Sequence, residues 1–83
     1  LLYLPSRIII SIMDVLKVRV GKNIKKLRMI KHLTQQQLAE KINLSTDFVS
    51  LIERGERAPS FESLQKIADV LDVKVAKLFE EEK

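Results

Sequence analysis

The sequence predicts an all-α fold, a compact bundle of five helices. Apolar residues recur at helical spacing in five separate runs, and four of these open behind a residue suited to cap a helix. No strand–helix–strand pattern, internal repeat or low-complexity tract interrupts them, and the chain has only two glycines.

The first helix is expected from about Val15 to Lys31, capped by Asp14, with Leu16, Val20, Ile24, Leu27 and Ile30 on one face. Thr34 followed three residues later by Gln37 fits a capping box, so a second helix starts at about Gln35 and turns Leu38, Ala39 and Ile42 inward. Ser45 caps a third helix with Phe48, Val49 and Ile52 helically spaced. Between them, Ile42-Asn43-Leu44 leaves room only for a sharp turn, and Asn43 tolerates the left-handed backbone such turns use. Small Ala39 lets the two helices cross closely. Ser60 caps a fourth helix carrying Leu64, Ile67, Ala68 and Leu71, and a short fifth helix spans roughly Val75 to Glu81, anchored by Leu78 and Phe79.

Residues 1–12, LLYLPSRIIISI, form an N-terminal extension, and residues 13–83 form the domain. The extension begins with Leu, and Met13 stands directly before the capped helix, which suggests a leader of upstream or appended sequence. Its β-branched stretch Arg7–Ile12 alternatively suits a strand that pairs with a second copy as a dimer arm. Pro5 and Arg7 break it too early to span a bilayer, and it lacks the basic start and cleavage site of a signal peptide.

Composition excludes several classes of function. Eighty-three residues, 46% of them hydrophobic, make one small domain, with a core too thin for a supported catalytic cleft. Without cysteine there is neither a disulfide nor a thiolate metal site, which fits a cytoplasmic location. A single histidine, His32, permits no His-based catalytic set or zinc cluster; near the end of the first helix it suits the negative pole of the dipole. No catalytic residue, metal, cofactor or small-molecule ligand is therefore expected. Net charge is +4, and its placement is polar: Lys17, Arg19, Lys22, Lys25, Lys26, Arg28 and Lys31 fall in a stretch without acids. Acids gather later, at Asp69, Asp72 and Glu80–Glu82. A basic end of this kind suits the phosphate backbone of a nucleic acid.

The stretch QQQLAEKINLSTDFVSLIER, Gln35 to Arg54, resembles the helix-turn-helix of the xenobiotic-response-element family, the phage repressor and Cro-like DNA-binding proteins. The resemblance runs from Val20 to Phe79, through VGKNIKKLR, the loop ERGERAPS, and LQKIADVLDV with its closing Leu78-Phe79. Asn43 and Asp72 depart from it where the family prefers glycine. Such membership implies a lambda-repressor-like fold with the helix-turn-helix at the second and third helices. It also implies a sequence-specific double-stranded-DNA-binding transcriptional regulator of prokaryotic or phage type, at the nucleoid, acting as a homodimer on a palindromic operator.

Several residues then become candidates. The first turn of the third helix faces the major groove, so Thr46 and Asp47 lead as base readers, with Phe48, Ser50 and Leu51 flanking them. By resemblance, Gln35 approaches both a phosphate and an outer base, and Thr46, Asp47 and Leu51 match base-reading positions. None of these three offers the bidentate readout of Arg, Asn or Gln; Asp47 instead suits a cytosine amino group, and Leu51 and the Thr46 methyl suit thymine methyls. Asp47 equally suits the positive end of its own helix, and Phe48 suits the core. Phosphate contacts are expected from Thr34 and Gln35 at a helix N-terminus, Arg54 and Arg57 in the following loop, and Ser60, with Lys22 and Lys25 at longer range. The resemblance sets Arg28 against Glu53 as a structural ion pair; the residues by themselves show only opposite charges on helices that should pack.

Three regulatory roles fit: a prophage repressor, a restriction–modification controller, or an antitoxin with a protein toxin as partner. A competing class is a protein-bridging helical module, because acidic Asp47 and apolar Leu51 also suit a protein groove.

Overall fold

In the computed structural model residues 6–81 are described, with side chains from residue 11 onward. They form α1 (Ser6–Ile30), α2 (Gln35–Ile42), α3 (Thr46–Glu53), α4 (Phe61–Leu71) and a 3₁₀ helix, η1 (Val75–Phe79). The fold is all-α, as the periodicity predicts. Its core draws on every element: Val20 and Ile24 from α1, Leu38, Ala39 and Ile42 from α2, Val49 and Ile52 from α3. Leu64, Ile67, Ala68 and Leu71 of α4 and Leu78 of η1 complete it. Ala39, 2% exposed, lies where α2 meets α3.

Three details differ from the sequence expectation. First, α1 begins at Ser6, so Asp14 lies inside the helix and pairs with Lys17 at 3.2 Å instead of capping it. The segment Arg7–Ile12, expected as a possible strand, is helical. Adding residues to an existing helix gains a hydrogen bond each, whereas a lone strand gains none without a partner; β-branching costs only tenths of a kcal/mol per residue against that. Leu1–Pro5 of the proposed leader or arm, and Glu82 and Lys83 of the acidic tail, lie outside the described residues. Second, Ile30 is 61% exposed and lines an open groove with Leu27, Lys77 and Glu80 instead of entering the core. Third, the last helix is a short 3₁₀ turn. Asn23 of α1, itself buried, donates from Nδ2 to the carbonyls of Leu78 and Glu80, both at 2.8 Å. Those carbonyls are thereby engaged from the side, and the backbone at Glu80 is extended.

All four α-helices end in the same manner. The backbone turns left-handed directly after α2 and α4, at Asn43 (φ 58°) and Asp72 (59°), and one position further on after α1 and α3, at His32 (59°) and Gly55 (74°). Each end pairs one N–H with the carbonyl three residues back and the next N–H with the carbonyl five back, for example Asn43 to Glu40 and Leu44 to Ala39. This is the Schellman arrangement, which satisfies carbonyls that the helix leaves open. The following residues Leu33, Leu44 and Val73 pack on the core, as the motif favours.

Candidate nucleic-acid interface

The interface is assembled from the starts of two short helices and the loop behind them. At α2, Thr34 Oγ1 accepts from the Gln37 N–H at 3.0 Å, while Gln37 Oε1 accepts from the Thr34 N–H at 2.8 Å, completing the capping box. The N–H groups of the first helical residues, Gln35 and Gln36, have no carbonyl within the helix to bond. At α3, Ser45 Oγ accepts from the Phe48 N–H at 3.1 Å.

With both ends capped, α3 divides cleanly. Val49, Ile52 and Glu53 are buried, Thr46 and Asp47 are exposed, and Phe48, Ser50 and Leu51 are half-buried. Behind α3 lies a fork. Arg28 Nε donates to Glu53 Oε2 at 2.6 Å and its NH2 group to Oε1 at 2.9 Å, while NH1 donates to the Leu33 carbonyl at 2.7 Å. Gln35 Nε2 also donates to Glu53 Oε1, at 3.0 Å, so the start of α2 is tied to the end of α3 through one carboxylate. Both charges are nearly enclosed, with side-chain exposures of 10% and 2%. Two parallel N–H···O bonds fix orientation as well as distance, so the fork holds α3 at a set angle to α1.

Other candidates are distributed around this surface. Arg54 pairs with Glu56 at 3.0 Å, whereas Arg57 lies over the Phe48 ring, 5.1 Å from its centroid. The Ser60 hydroxyl is committed to its own helix, accepting from the Ser63 N–H at 3.1 Å. Lys25 shares a helical stripe with Gly21 and Arg28, which face α3. Lys22 is turned away from that stripe and lines a groove with Arg19, Asn23 and Glu81. The structure thus gathers Gln35, Thr46, Asp47, Ser50, Leu51 and Arg57 around α3 and leaves Lys22 by the C-terminal segment.

Two contributors, Gly21 and Asn23, escape a reading of the sequence. A methyl at Gly21 would be driven into the Ile52 carbonyl oxygen and lie 3.0 Å from that of Glu53, so this glycine sets how closely α1 approaches α3. A glycine inside a helical pattern is itself a hint of such an approach. Asn23 fastens η1 to α1 and carries no local signal, since its partners Leu78 and Glu80 are distant in sequence. His32, expected near a helix end, takes a left-handed backbone there, and Phe48, expected as a flanking base reader or a core residue, underlies Arg57. Among the described residues no group of acids and histidine is arranged to hold a metal, and no helix is long and apolar enough to cross a membrane.

A capped pair of helices, with the second presenting its first turn outward and anchored from behind, defines a DNA-binding helix-turn-helix domain. The helix-turn-helix family model matches residues 24–78, and the chain belongs to that family of transcriptional regulators, which are not enzymes. It is 43% identical over 63 residues to the immunity repressor protein of Bacillus phage phi105, covering 76% of this chain but 44% of the repressor. To the control protein C.MunI of Mycoplasma sp it is 38% identical over 68 residues, covering 81% of this chain and 92% of that protein. Among solved structures, the restriction–modification controller protein C.AhdI from Aeromonas hydrophila superposes with a TM-score of 0.73 at 35% identity, covering 76% of this chain and 96% of that one.

Proposed function

We propose that this protein regulates transcription by binding a palindromic operator as a homodimer, with α3 of each copy in the major groove. The observation that carries this reading is the exposed first turn of α3, Thr46 and Asp47, on a helix fastened from behind by the Arg28–Glu53 fork. Thr46, Asp47 and Leu51 read base edges, favouring cytosine amino groups and thymine methyls, with Ser50 beside them. Gln35, held toward Glu53 by its amide, serves at the outer edge of the site. The start of α2 at Thr34 and Gln35, the loop at Arg54 and Arg57, and the start of α4 at Ser60 meet phosphates, with Lys22 and Lys25 adding long-range attraction.

Of the three roles, the restriction–modification controller draws most support, because C.MunI and C.AhdI are matched along nearly their whole lengths. The chain spans less than half of the phage repressor it matches. A cytoplasmic, nucleoid-bound protein follows from the same reading. A toxin or other protein partner is the competing use of the Asp47–Leu51 face.

Selection of sites from random duplexes at low and high salt tests the proposal. A palindromic consensus with half-sites about one helical turn apart, roughly 34 Å, supports it. Retention without any consensus, vanishing evenly as salt rises, favours the bridging module instead.

A further inference from the structure

The geometry points to Phe48 as a positioning residue that holds Arg57 ready for a DNA phosphate, an inference resting on the DNA-binding function proposed above. Two arginines follow α3, and they are in different states. Arg54 is paired with the Glu56 carboxylate at 3.0 Å. Arg57 has no carboxylate within ion-pair distance among the described residues and lies instead over the Phe48 ring, 5.1 Å from its centroid.

The ring is a fixed platform. Phe48 is half-buried and packs on the hydrophobic core, and its own N–H is held by Ser45 Oγ at 3.1 Å. A guanidinium stacked on an aromatic ring uses its face, while its N–H donors point outward in its plane. Those donors match the two oxygens of a phosphate, so stacking and phosphate binding do not compete. Phe48 also lies in the same helical turn as Thr46 and Asp47, so the fixed charge stands directly beside the base-reading turn. A flexible arginine would lose side-chain freedom on meeting DNA; one already stacked loses less. With core on one side and Arg57 over its ring, Phe48 acts on DNA through Arg57 and reads no base.

The test is a double-mutant cycle on the full chain. Binding is measured on a duplex recovered by selection and on mixed-sequence duplex, for wild type, Phe48→Leu, Arg57→Ala and the double variant. Phe48→Leu should weaken binding about two- to fivefold on both duplexes. It should cause no further loss once Arg57 is alanine, and Phe48→Tyr should restore wild-type affinity. Should Phe48→Leu fail to fold, Arg57→Lys decides the matter: an exposed charge-preserving change should still lose affinity, because the ammonium lacks the flat fork. An equal loss from Phe48→Leu in the Arg57→Ala background, an altered base preference, or an Arg57→Lys variant that binds like wild type would overturn the inference. Wild-type protein that binds neither duplex would instead remove the DNA-binding reading itself.

Discussion

Glu53 shows how one carboxylate can tie three helices together. Its two oxygens receive the Arg28 fork and the Gln35 amide, and no buried side-chain polar atom among the described residues lacks a partner. The enclosed pair need not stabilise the fold relative to apolar residues, since desolvation offsets attraction, but losing one partner leaves the other charge buried. Glu53→Gln should therefore cost about 3–5 kcal/mol in urea unfolding, and Arg28→Met with Glu53→Leu should recover much of it. His32 makes the opposite case. A non-glycine residue in the left-handed region carries strain of ~1–2 kcal/mol, so His32→Gly should raise the urea midpoint, by the equivalent of about 1 kcal/mol. Asn43 and Asp72 were legible as left-handed positions because the family prefers glycine there. His32 was legible as lying near a helix end but not as left-handed, because no departure from a glycine marks it.

Among the elements, α1 departs furthest from what its sequence predicts. Its core face at Val20 and Ile24 follows from spacing, but Asp14, a residue that caps well, lies mid-helix. Capping chemistry marks where a helix can begin; it does not stop an upstream segment from joining. The starts of α2, α3 and α4, where Thr34, Ser45 and Ser60 do cap, were legible for the same chemical reason. What spacing cannot reveal is how α1 touches its neighbours. Alanine favours a helix over glycine by about 1 kcal/mol, yet Gly21→Ala should destabilise the protein by roughly 1–3 kcal/mol, because the methyl meets the Ile52 backbone. The same change should weaken DNA binding by displacing α3, read as an affinity loss in variant protein that is still folded. Asn23→Asp should release η1: a carboxylate cannot donate to the Leu78 and Glu80 carbonyls. Faster amide exchange at the end of η1, with the exchange of α2 and α3 retained, is the expected signature.

For the molecule as a whole, a small bundle leaves its apolar core closed and its chemistry on one surface. Charge on that surface should act in two separable ways. Arg57→Ala should weaken binding to every sequence alike and lower the salt slope by about one. Asp47→Ala should leave mixed-sequence binding nearly unchanged while altering preference at one symmetric operator position, by about 1–3 kcal/mol. Val73, Val75 and Phe79, the apolar residues near the C-terminus, are half-buried against the core. Exposed large apolar side chains lie at Ile12, Met13, Val15, Val18, Met29 and Ile30 on α1 and at Phe61. Comparing the dimer constants of chains that start at Leu1 and at Met13 would measure what the first helical turns contribute.

Everything functional here follows from α3 being held rigidly with its first turn outward. The most direct check is a map of backbone amide shifts as duplex DNA bearing a selected operator is added to the protein. The account predicts the largest changes at Thr34–Gln36, Thr46–Ser50 and the loop around Arg57, with η1 little affected. Changes confined to the first turns of α1 or to α4 and η1, with Thr46 and Asp47 silent, would contradict it.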